Sequence, residues 1–89
     1  MIHVTGIVFT PARLADRLLG LVGFVRCVLG GAILLDCIAV RRTLGGRITL
    51  SFPRKAGGHF FHRPVDRRAR AEIEAQILEV IAAELEALQ

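Results

Sequence analysis

The chain has 89 residues, which supports one domain with a single core and little stability in reserve. Twelve Lys and Arg against eight Asp and Glu give a net charge of +4 and a pI near 10.5, favouring polyanionic partners over chemistry in an acidic pocket. Tyr, Trp and Asn are absent and Ser51 is the only serine, so hydroxyl nucleophiles and orienting amides are scarce and an enzyme is not expected.

The opening, Ile2 to Phe9, is rich in β-branched residues and stops at Thr10-Pro11, which predicts a first strand. Met1 leads straight into that segment with no secretory leader, so the expected localisation is cytoplasmic. Residues 13–17 read as a polar connection. Two apolar stretches, 19–29 and 32–42, flank Gly30-Gly31, the pattern of two antiparallel strands joined by a two-residue turn. With that turn at the tip, Leu29 pairs with Ala32, Cys27 with Leu34 and Phe24 with Cys37, so the two cysteines project to opposite faces and stay free thiols. The same register places Leu21, Val25, Leu29, Leu34, Ile38 and Val40 on one face and Val22, Phe24, Val28, Ile33 and Leu35 on the other. A single helix covers only one apolar face, and a homodimer is the economical way to cover the second.

A membrane helix over residues 18–40 is the competing reading of this stretch, which is long enough to span. Arg26 and Asp36 would each cost about 2.5–3.5 kcal/mol near a bilayer centre, and four glycines weaken a helix, so the hairpin is preferred and no membrane partner is expected.

Leu44-Gly45-Gly46 marks another turn, and Arg47 to Phe52 alternates with period two before Pro53, a fourth strand with Ile48, Leu50 and Phe52 on its apolar face. Arg54 to Gly58 is a basic flexible connection, and His59 to Val65 predicts a short fifth strand. Asp66 is a helix cap. From Arg67 to Gln89, helix-forming residues with Ile73, Ile77, Val80, Ile81, Leu85 and Leu88 predict one amphipathic helix of about six turns. The expectation is therefore a single α+β domain over 1–89: an antiparallel sheet of about five strands within 2–65, followed by a C-terminal helix over 67–88.

Taken in order, Val4-Thr5-Gly6-Ile7, the run Leu29 to Val40, Ile48 to Pro53, the Arg63-Pro64-Val65 step, and Arg70 with Ile73 make nearly the whole chain resemble the SpoVG septation-regulator family. The resemblance implies an antiparallel sheet followed by a C-terminal helix, a dimer, and a nucleic-acid-binding role in control of septation and sporulation. The chain departs from the family in a shorter stretch after the fourth strand, reading Arg54-Lys55-Ala56-Gly57-Gly58, and in Cys37 and Ala39 at positions commonly charged.

Charge order singles out a candidate surface independently. Residues 1–70 hold all twelve bases and only Asp16, Asp36 and Asp66, whereas residues 71–89 hold five Glu and no base. The helix thus starts Arg67-Arg68-Ala69-Arg70 and ends with Glu84 and Glu86, against its dipole at both ends, at about 0.3–1 kcal/mol per misplaced charge. Guanidinium groups beside unpaired helix N–H groups suit phosphate. Pairing of these arginines with Glu72 and Glu74 one turn on is the alternative. Residues 41–70 carry nine bases and one acid, with His59-Phe60-Phe61-His62 among them, which suits tracking of a DNA or RNA phosphate backbone with base stacking. Alternation predicts that one of Phe60 and Phe61 packs into the core. The expected site is Arg54, Lys55, Arg63, Arg67, Arg68 and Arg70; a protein-interaction module using the same basic face is the other class of reading. His59 and His62 with a cysteine could ligate a metal, but strand residues three apart diverge, so neither metal, cofactor nor small-molecule substrate is expected.

Overall fold

The computed structural model describes residues 1–88; Gln89, the last residue of the expected helical stretch, lies outside the described residues. Four strands, β1 (Val4–Pro11), β2 (Leu21–Leu29), β3 (Ile33–Arg42) and β4 (Ile48–Ser51), form one antiparallel meander in the order β1-β2-β3-β4. A short helix α1 (Leu14–Leu18) joins β1 to β2, and a long helix α2 (Arg67–Ala87) follows the sheet. This is an α+β fold. Residues 18–40 form the end of α1 and the β2–β3 hairpin, and no helix among the described residues is long and apolar enough to cross a membrane.

One stripe on α2 fixes the packing. Ile73, Ile77, Ile81 and Leu85 recur every four residues and are buried against Val25, Cys27, Leu35, Ile38, Val40, Leu50 and Phe52 of the core, while Val80 stands outside the stripe and is exposed. Ile77 and Ile81 are fully buried, each contributing roughly 1.5–3 kcal/mol. Asp66 caps the helix as its sequence position implied, its Oδ1 accepting from the Ala69 amide at 2.8 Å.

Three irregularities interrupt the ladders of β2: Val22 is an extra residue between the pairs Leu21–Arg41 and Gly23–Val40, and two bulges meet further along the strand. Gly6 and Ile7 together oppose the single residue Cys27, and Asp36 and Cys37 together oppose Arg26. Gly6 and Cys37 both take positive φ, at 56° and 59°, and the Cys37 amide donates to its neighbour Asp36 Oδ1 at 2.8 Å. Each extra residue tightens the local twist, which curls β1 and β4 toward α2.

Three expectations are corrected. The hairpin loop has three residues, Gly30-Gly31-Ala32, with the Ala32 amide donating to the Leu29 carbonyl, so Leu29 pairs with Ile33 and Cys27 with Leu35. This one-residue slip turns Leu35 into the core and Leu34 out of it. Cys27 is buried and Cys37 exposed in its bulge, both as free thiols. The polar connection at 13–17 contains α1, where helix-forming Leu14, Ala15 and Leu18 follow Pro11 and Arg13 pairs with Asp16 at 3.3 Å.

The third correction is the fifth strand, of which only an isolated bridge between Arg54 and Phe60 forms. Gly57 and Gly58 take positive φ and close a tight loop, with Lys55 donating to the His59 carbonyl at 2.8 Å. The outer edge of β4 is also already occupied. Glu74 accepts from the Leu50 amide at 3.3 Å, and Arg70 donates to the Leu50 carbonyl. On the opposite edge Ile2 donates to Glu72 at 3.3 Å, Val4 donates to Gln76 at 3.2 Å, and Gln76 donates back to the Ile2 carbonyl at 2.6 Å. Side chains of α2 thus satisfy backbone groups on both sheet edges.

The face of the sheet away from α2 carries Val8, Phe24, Val28, Leu34 and Ala39 around Arg26 and Asp36. Val8, Phe24 and Leu34 are exposed there.

Candidate nucleic-acid interface

The basic residues after β4 converge on one aromatic ring. Pro53 accepts from the Phe61 amide and Lys55 bonds His59, so the chain from 53 to 61 doubles back and brings Arg54 beside Phe60. The Arg54 guanidinium lies 4.4 Å from the Phe60 ring centroid and that of Arg63 lies 5.6 Å from it, both within cation–π range. A concavity then runs from Phe60 and Arg63 across Pro64, Val65 and Asp66 to Arg67 and Arg70 at the start of α2. Four of the six expected residues, Arg54, Arg63, Arg67 and Arg70, therefore gather around Phe60 and the helix N-terminus. Lys55 sits exposed in the loop, and Arg68, 90 % exposed along its side chain, approaches Glu72 at 3.9 Å.

Arg70 differs from its neighbours. It pairs with Glu74 at 3.2 Å, donates to the Leu50 carbonyl and lies 5.6 Å from the Phe52 ring centroid, with its side chain 41 % exposed. Its charge is committed to the fold. The i,i+4 spacing of Arg68 with Glu72 and Arg70 with Glu74 signalled such pairing in the sequence, and both pairs form, the first at the surface and the second half-buried. What the sequence concealed is the Leu50 backbone as a shared third partner, twenty residues from Arg70.

Neither phenylalanine of the loop enters the core. Phe60 lies beneath the two guanidinium groups, and Phe61 is 69 % exposed, because the segment is a loop in which the expected alternation does not apply. Phe61 lines a shallow concavity with Arg63. His62 turns inward, edge-on to Phe52 with ring centroids 6.1 Å apart, and its Nδ1 is buried without a partner among the described residues. No three His, Cys, Asp or Glu side chains gather in metal-binding proximity among the described residues.

The site thus offers the exposed cations Lys55 and Arg67, Arg54 and Arg63 held over the Phe60 ring, an exposed Phe61 and the first turn of α2. Charged donors and helix N–H groups suit phosphate oxygens, and the ring suits a base. No family model matches the chain, and no curated protein or solved structure matches it.

Proposed function

We propose that this chain is a cytoplasmic, homodimeric nucleic-acid-binding regulatory protein, similar in kind to the SpoVG septation and sporulation regulators. The convergence of Arg54, Arg63 and Arg67 around Phe60, with Phe61 exposed beside them, carries the reading. Arg54, Lys55, Arg67 and Arg68 neutralise successive phosphates, and Arg63, held over Phe60, orients a further phosphate or stacks on a base. Phe61 supplies sequence-tolerant stacking. Arg70 supports the site by fixing the first turn of α2 to β4. Two copies joined through the sheet face of Phe24 and Leu34 present the surface twice.

Replacing Arg67 and Arg68 together by Ala tests this. Each lost phosphate contact lowers the slope of log affinity against log salt by about 0.9 on duplex DNA or about 0.7 on single strands. Anisotropy titrations with labelled DNA and RNA at two salt concentrations should show weaker binding and a shallower slope in the double variant. Unchanged affinity and slope would move the protein-interaction reading of the same basic face into first place.

A further inference from the structure

An open pocket lies at the other end of the sheet, where α1 hands the chain to β2 and β3 passes into β4. Its lining includes Arg17, Leu18, Leu19, Arg41, Arg42 and Leu44. We propose that this pocket binds a phosphate group through Arg17, Arg41 and Arg42.

Arg17 at the end of α1 and the adjacent Arg41 and Arg42 at the end of β3 line one concavity, and none of the described residues lining it is acidic. Arg17 Nε and Arg42 Nη2 are both buried without an acceptor among the described residues. Asp16, the nearest acid in sequence, is engaged by Arg13 at 3.3 Å. A charged donor atom removed from water without a partner is costly. Water can accept a hydrogen bond from either nitrogen but cannot offset the charge, whereas a phosphate oxyanion does both, and the planar fork of arginine fits it.

The backbone holds this geometry. The Arg42 amide donates to the Gly20 carbonyl at 2.8 Å, so the turn after α1 is tied to the end of β3. Gly20 has φ +96°, and a Cβ there would stand 3.0 Å from the Arg42 carbonyl, so only glycine allows the approach. Thr43 accepts from the Arg47 amide through Oγ1 at 3.1 Å and fixes the following turn. The rim is apolar: Leu18 and Leu19 are 79 % and 86 % exposed, and Leu44 is fully exposed. The phosphate can therefore belong to a free anion or to a lipid headgroup with leucines entering the membrane surface.

The site does not rest on the nucleic-acid reading, because it occupies the opposite end of the strands from Phe60. Titrating the full chain with inorganic phosphate, followed by amide NMR, should shift Gly20, Arg42 and Thr43 saturably, and equally in the Arg67, Arg68 double-alanine variant. Arg42→Gln should weaken this about tenfold or more, as expected for loss of a charged hydrogen bond. If that variant does not fold, Arg41→Gln, at an exposed position, makes the same comparison. In a second arm, the protein is sedimented with phosphatidylcholine vesicles with and without phosphatidylglycerol. Binding only to the anionic vesicles, lost in Leu18→Ser and Leu44→Ser, assigns the phosphate to a lipid headgroup; saturable shifts without vesicle binding assign it to a free phosphate. No saturable shift and no charge-dependent sedimentation overturns the proposal, as do effects that Arg42→Gln and Arg41→Gln leave unchanged.

Discussion

Arg70 donates to the carbonyl of Leu50 while its ion-pair partner Glu74 accepts from the amide of the same residue, so one turn of α2 holds both backbone groups of a residue on an edge strand. Removing either side chain leaves a Leu50 group without its partner. Arg70→Ala is expected to lower stability by about 1–3 kcal/mol, the range for a charged hydrogen bond to a half-buried group. In a domain of this size that is a fall in melting temperature of roughly 4–8 °C per kcal/mol. The Arg67, Arg68 double variant should melt at the same temperature or slightly higher, because alanine is the better helix former and the dipole disfavours positive charge there. Thermal denaturation followed by circular dichroism separates the two outcomes, and equal melting of all variants would remove Arg70 from its structural role.

Gly23 of β2 pairs with Pro11 of β1. A Cβ at this position would stand 2.5 Å from the Thr10 carbonyl oxygen and 2.6 Å from the Phe9 ring. Because backbone cannot step aside as a side chain does, Gly23→Ala should cost about 1–3 kcal/mol or more in overpacking. Chemical denaturation checks it; a stability unchanged within error would mean that β1 is free to shift.

The two thiols should react very differently. Burial pushes the Cys27 thiol above its ordinary pKa, and Cys37 is exposed. In the native protein an alkylating agent should modify Cys37 rapidly and Cys27 only on unfolding, as read by mass spectrometry. The raised pKa also sets a pH dependence. The folded state holds its proton where the unfolded thiol has lost it, so this contribution is intact below the unfolded thiol pKa and is lost as pH rises through the folded one. Stability of the wild type should therefore decline on the alkaline side more steeply than that of Cys27→Ala.

In the proposed dimer the sheet face opposite α2 is the interface. Phe24 and Leu34 stand exposed on it, near Val8 and Val28. Phe24→Lys with Leu34→Lys should convert a dimer into a monomer in light scattering at micromolar concentration, with the circular dichroism spectrum retained. A wild type that is already monomeric would refute the dimer.

Much of this architecture was legible in the sequence because local rules and burial agree there. The four strands follow from β-forming composition and turn chemistry, Asp66 caps where a cap was needed, and the isoleucines of α2 repeat at helical spacing. The hairpin slip was not legible, since Leu34 and Leu35 are chemically equivalent and only the conformation of Gly30-Gly31-Ala32 decides which turns inward. The fifth strand failed because its would-be partner edge is bonded by side chains twenty and more residues downstream, a non-local competition that no period-two pattern records. Of the candidate site, the residue types and their clustering were readable. The division between Arg70, bound into the fold, and Arg67 and Arg68, facing solvent, required the positions of Leu50 and the two glutamates.

Because α2 bonds Ile2 and Val4 on one side of the sheet and Leu50 on the other, lateral growth of the sheet is capped at both ends by one element. An extended peptide or a second copy cannot add as a neighbouring strand at those positions without first prising off the helix, which would expose Ile73 and Ile77. Strand addition is thereby coupled to unfolding of the core. The chain is protected from open-ended β-polymerisation while native, and partial detachment of α2 is the event that would release that hazard.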